Sequence, residues 1–355
     1  MPLKQLAVLL LGLVFAGVEL GYNTSRYTIL NKMVVYGSGT VDREVFTKSF
    51  RVIPDIAGWQ RLVNITLLVN SKPVVFSLLN DDDGNRFVYP GDLAFSGMLN
   101  ITLVQVVEVA RPPFRKIAGM PEYLEQRPVN IDELSKSPFW GCRYRDTNFT
   151  SIVKLSNEIY ARSANIREYI LKTAEWVHSN IKYNLSMLGG VQCPAKTFAE
   201  KEGACADVHS LLTLLLRIKG VDAYLAYAYV FQPQENITQN ADKWTYSLIN
   251  VEPHVFTVVN SSSTTFPIDV TATTGSAGNY VEGAAINQLD NVILVGWITK
   301  SSPDSFLAIY GPNGAERISF SVEIRETTEY YSSLVVLVVA LIVAGALIVN
   351  KERSI

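Results

Sequence analysis

The stretch G203-ACADVHSLLTLLLRIKG-220 places Cys205 directly in front of a long apolar run. Ser210–Ile218 reads as a helix that Gly220 stops, and a helix this rich in leucine belongs in a core. A cysteine at its start has two readings. It can be a small buried hydrophobe, as most free cysteines are. It can also be a nucleophile, because the unpaired amides at a helix start stabilise a thiolate. The second reading requires a base within reach and a group that orients the base.

The chain has only three histidines. His209 follows Cys205 by four residues and shares its helix face; it reads as a packed or partly exposed helix residue. His178 ends the helix that carries Trp176. His254 opens the strand H-V-F-T-V-V, and Asp269 stands in the later strand F-P-I-D-V. The polar turn N-S-S-S-T-T between them predicts a hairpin that makes His254 and Asp269 cross-strand neighbours. Cys205, His254 and Asp269 then form a set in which the aspartate fixes the imidazole tautomer. Spacing alone does not assign it, since any chain of this size holds these residue types in that order.

The surrounding pattern is α+β. From Asn31 to Ala110, β-branched runs such as V-N-I-T-L-L-V and L-N-I-T-L-V-Q-V-V-E-V alternate with turns. A small β-sandwich over 22–110 is the expectation. The acidic turn Asp81-Asp82-Asp83-Gly84-Asn85 lacks the glycine and glutamate of an EF-hand loop, so it reads as a hairpin turn. The proline-rich R-P-P-F-R-K-I-A-G-M-P-E-Y-L-E-Q-R-P reads as a linker or wrapping loop. Helical spacing follows: Ile152, Leu155 and Ile159 share a face, then Ile166, Tyr169, Ile170, Trp176, Val177 and Ile181. Strands return at Ala223–Phe231, His254–Val259 and Phe266–Val270, and a β-rich stretch over 283–328 closes the folded part.

Both ends are apolar. Residues 1–21 match a secretory signal. Residues 329–350 are uncharged beyond Glu329 and long enough to cross a bilayer, with tyrosines at one edge and Lys351 and Arg353 in the tail 351–355. Sequons at Asn23, Asn64, Asn100, Asn148, Asn184, Asn236 and Asn260 all lie between these ends. The expectation is an exported, glycosylated chain held at the cell membrane by one C-terminal helix. A net charge of −2 without a long basic run argues against nucleic acid as a partner.

Four elements together carry a family resemblance: W176-VHSNIKYN-184, T197-FAEKEGACADVHSLLTLLLRIKGVDAYL-225, P253-HVFTVV-259 and F266-PIDVTA-272. In order and spacing they resemble the transglutaminase-like superfamily. The resemblance implies a papain-like core over 111–282, helices packed on an antiparallel sheet, with Cys205 as nucleophile, His254 as base and Asp269 as orienter. It implies a thiol enzyme that attacks amide bonds of peptides or proteins and needs no cofactor. The alternative is a catalytically silent binding or adhesion module of the same fold. One departure is that the strand after the cysteine helix, A-Y-L-A-Y-A-Y-V-F, lacks the arginine and glycine-tyrosine pair many members carry. Asp207 reads as serving the first helical turn, and Tyr183 as a cleft-lining aromatic. A zinc site from Cys193, Cys205 and His209 lacks a fourth ligand. If Cys205 stays a thiol, the expected bridge in an exported chain is Cys142–Cys193.

Overall fold

The computed structural model describes residues 24–110, 122–137, 140, 147–184, 191–261, 264–271 and 291–327. The chain begins with β1 (Thr24–Val41), α1 (Arg43–Ser49), β2 (Gln60–Val69), β3 (Lys72–Pro73), β4 (Ser77–Asn80), β5 (Arg86–Tyr89) and β6 (Leu93–Ala110). It continues through α2 (Ile131–Lys136), α3 (Thr147–Ala161), α4 (Ile166–Asn180), β7 (Lys182–Tyr183), α5 (Pro194–Glu200), β8 (Glu202–Gly203) and α6 (Cys205–Ile218). It ends with β9 (Ala223–Ala241), β10 (Trp244–Ser261), β11 (Thr264–Ile268), β12 (Val292–Ile298), α7 (Pro303–Leu307) and β13 (Asn313–Glu326).

The residues before Ala110 do not make the separate β-sandwich that their pattern suggests. A single nine-stranded sheet runs β12-β9-β10-β13-β1-β6-β2-β3, with β11 attached to β10. The joint is β13, antiparallel to β1 and parallel to β10. The sheet is therefore mixed, where an antiparallel one was expected. Alternation explains how β1 serves it: Tyr27, Ile29, Met33 and Val35 are fully buried, every second residue facing the core. Strands β9 and β10 also run longer than the apolar runs that suggest them, and the half of β9 beyond Phe231 is largely exposed.

The helices surround α6. Residues Ala206 to Leu216 are all buried, with α3, α4 and α5 on one side and β9 and β10 on the other. Asn165 starts α4 by accepting the Glu168 amide at 2.9 Å. Gly220 ends the α6 region at φ +73°, and a Cβ there would stand 2.2 Å from the Arg127 carbonyl oxygen. Arg127 donates its amide to the Gly220 carbonyl at 2.8 Å, so the segment leading to α2 wraps the end of α6.

The acidic turn joins β4 to β5 and is a structural turn. Asp81 Oδ1 accepts the amides of Asp83 and Asn85 at 3.0 and 2.8 Å. Asp83 Oδ1 accepts those of Thr299, Lys300 and Ser301 at 2.6 to 3.0 Å, which holds its carboxyl below the ordinary range even though burial, the largest influence, acts the other way. These carboxylates are committed to backbone amides. Among the described residues no helix is long and apolar enough to cross a membrane. Residues 1–21, 329–350 and 351–355, together with Cys142 and Asn23, lie outside the described residues.

Candidate active site

Cys205 is the first residue of α6, half-buried and a free thiol. Its position follows from the residues around it. Asp207 accepts the Ala204 amide at 2.8 Å with one oxygen and the Gln192 amide at 2.6 Å with the other, tying the helix start to the preceding loop. Gly203 makes this possible, since a Cβ at that position would lie 2.6 Å from the Asp207 Cβ. Strand β8 pairs with β7 through Tyr183 and Gly203, which brings Tyr183 beside the thiol. Burial pushes the Tyr183 hydroxyl pKa up, and the charges of Cys205, Glu252 and Asp269 push it further.

The β10–β11 hairpin supplies the other two groups. Thr257 faces Ile268 in the register, so Asp269, one residue past β11, is a diagonal neighbour of His254. His254 Nε2 donates to Asp269 Oδ2 at 2.5 Å. The His254 ring also lies beside Cys205. Asp269 is completely buried and His254 nearly so. Burial opposes charge on both, yet each holds the other charged: His254 titrates well above the ordinary imidazole range and Asp269 well below the carboxylate range. The neighbouring Cys205 sulfur raises His254 further. A packed ladder of aromatic rings fixes the histidine, with Phe256 6.0 Å from its ring centroid and Trp59 stacked on Phe256 at 6.2 Å.

His209 differs most from its expected place. It is completely buried, and its Nε2 lies 3.0 Å from Asp269 Oδ1. Helical spacing correctly puts it on the face of Cys205, but only the docked hairpin shows that this face meets Asp269. His178 is half-buried, its Nδ1 3.1 Å from the Val270 carbonyl. Cys193 is disulfide-bonded and both His209 nitrogens have protein partners, so the zinc set considered for Cys193, Cys205 and His209 does not form. Of the sequon asparagines, Asn64, Asn236 and Asn260 are exposed and Asn100 and Asn184 half-buried; the Asn148 side chain lies outside the described residues.

A cleft of about 580 Å³ opens on Cys205 and His254. Tyr227, Trp244, Tyr246, Leu307 and Ile309 wall it, Asp207 and Asp304 are its acidic members, and among the described residues no lysine or arginine lines it.

The profile of the Transglutaminase-like superfamily matches residues 153–261, a span that holds Cys205 and His254 and stops short of Asp269. No curated protein sequence matches the chain. The structure of a candidate cysteine protease from Cytophaga hutchinsonii superposes with a TM-score of 0.51 at 14% identity, covering 86% of this chain and 91% of its own. LapG of Legionella pneumophila gives 0.32 at 11% identity over 49% of this chain and 86% of LapG. The periplasmic domain of TgpA from Pseudomonas aeruginosa gives 0.30 at 12% identity over 76% and 95%. Residues 153–261 of the chain carry a domain of the transglutaminase-like superfamily.

Proposed function

We propose that this protein is a thiol enzyme that cleaves or exchanges amide bonds in peptides or proteins. The observation that carries it is His254, hydrogen-bonded to Asp269 and set beside the Cys205 thiol at the start of a buried helix. The Cys205 sulfur adds to the amide carbonyl, and the helix-start amides face the developing oxyanion. His254, holding the thiol proton as imidazolium, passes it to the departing nitrogen as the C–N bond breaks. A thioester on Cys205 remains. Water resolves it to an acid, or an amine to a new amide, with His254 taking the proton and Cys205 regaining it.

The walls of the cleft support an acyl group with a large apolar side chain, whose burial contributes about 25 cal/mol per Å². A peptidyl acyloxymethyl ketone ending in leucine or phenylalanine should label Cys205 at least tenfold faster than one ending in aspartate. Labelling should vanish in Cys205→Ala and fall sharply in His254→Ala. Equal labelling of wild type and His254→Ala would remove the case for catalysis and favour the binding module.

The setting we propose is the outer face of a membrane, with residues 329–350 as anchor and 351–355 inside the cell. The uncharged run and the bridged Cys193, a pairing suited to an oxidising compartment, support it. Protease added to intact cells should then release nearly the whole chain, and protection of everything except the last few residues would reverse the topology.

A further inference from the structure

His209 holds the Asp269 carboxylate from the side opposite His254, in a buried network of threonines. The Thr257 backbone N–H points at His209 Nδ1 at 3.1 Å. An amide can only donate, so Nδ1 must be the acceptor and the ring proton must sit on Nε2. That proton faces Asp269 Oδ1 at 3.0 Å. The Val270 amide also approaches Nε2, but at 3.4 Å it is the weaker contact and cannot set the tautomer against the shorter pair. Thr257 Oγ1 donates to the His209 carbonyl at 3.1 Å and lies 3.1 Å from Thr213 Oγ1, pinning the ring's own residue to β10. Thr271 completes Oδ1 with its amide at 2.8 Å and its hydroxyl at 3.0 Å.

We infer that His209 is a positioning residue: a permanently neutral imidazole whose Nε2–H fixes Asp269 so that its other oxygen serves His254. This rests on the proposed function only for its consequence in catalysis. The two histidines share one carboxylate with ring centroids 6.4 Å apart, and the site separates their roles. Among the described residues the titratable groups that face His209 are Asp269 and His254; its other polar neighbours there, Thr257 and Thr271, are uncharged. Protonating Nδ1 would set its proton against the Thr257 amide in a site without water access, so His209 stays neutral and His254 takes the charge. Without His209, Asp269 Oδ1 loses one of its donors inside a buried space. The carboxylate becomes less stable and freer to rotate, and the imidazolium at His254 loses support.

Imidazole NMR on the full chain tests this. In the wild type, His209 should show the Nε2–H tautomer and no titration between pH 4 and pH 9. A proton on Nδ1, or a His209 that titrates in this range, overturns the inference without any variant. His209→Leu keeps the volume and removes the donor, and should lower the His254 midpoint by a unit or more, about a tenfold loss in its proton affinity. His209→Gln restores an N–H toward Asp269 and should recover most of that loss. A His254 midpoint unmoved in His209→Leu, or moved equally by both substitutions, refutes positioning. The readout is the imidazole, so a shifted His254 beside an ordinary thiol at Cys205 would count against the nucleophile alone.

Discussion

Gln60 and Leu294 bond each other as two strand residues would, although one partner is a side chain. Gln60 Oε1 accepts the Leu294 amide at 2.8 Å, and Gln60 Nε2 donates to the Leu294 carbonyl at 2.9 Å. Asn85 repeats the device with the Trp297 amide and carbonyl, at 2.7 and 2.8 Å. These side chains cover the free edge of β12, at one end of the sheet, with residues from β2 and the turn before β5, and β2 lies near the other end. An edge that would otherwise invite another strand is thereby closed.

Gln60→Ala should therefore destabilise the chain by about 2–4 kcal/mol, because two buried backbone groups lose their partners together. Gln60→Glu should be nearly as costly, since a carboxylate repels the Leu294 carbonyl. Urea denaturation measures both, and a loss under about 0.5 kcal/mol would mean the edge is satisfied by other means.

Gly203 carries a steric prediction. Gly203→Ala places a methyl against the Asp207 side chain, where a Cβ would stand 2.6 Å from Asp207 Cβ. Asp207 must give way and with it the amides of Ala204 and Gln192, at a cost of about 1–3 kcal/mol. The first turn of α6 shifts, so Cys205 alkylation should slow in the same variant. Unchanged stability and unchanged alkylation would show that Asp207 relaxes freely.

The charge pair predicts a pH window for stability. His254 titrates higher in the folded chain than the free imidazole, so its contribution is complete below about pH 6.5 and is lost as pH rises through the folded value. Asp269 titrates lower when folded, so its contribution is complete above about pH 4 and is lost as pH falls through the folded value. The stability difference between wild type and Asp269→Asn should be largest between about pH 4 and pH 6.5. A difference that rises steadily into the alkaline range would contradict the pair.

Much of the site is legible in the sequence because its signals are local. The glycine and aspartate around Cys205 shape one helix start, and the polar turn before Thr264 brings Asp269 back toward His254. What the sequence conceals is set by distant contacts. Nothing within β1 says that its partner is β13, close to the far end of the chain, so a separate sandwich is the natural expectation where one sheet forms. Gln60 and Asn85 are ordinary polar residues until β12 arrives beside them. His209 is a helix residue on the right face, and only the docked β10–β11 hairpin makes it a partner of Asp269.

The redox state gives a covalent prediction. Peptide mapping without reduction should find Cys193 bridged and Cys205 free. With Cys142 as the partner the bridge closes a loop of about fifty residues, and Cys193→Ser should cost on the order of 4 kcal/mol in the chain-entropy account. Recovery of Cys205 in a disulfide in the mature protein would be incompatible with its use as a nucleophile.

The most direct measurement is the rate of Cys205 alkylation by iodoacetamide as a function of pH. With His254 beside the thiol at the start of α6, Cys205 of the wild type should be alkylated at neutral pH about tenfold faster than in His254→Ala. A wild-type profile that already follows an ordinary thiol, and that His254→Ala leaves in place, would contradict the assignment of Cys205 as the nucleophile.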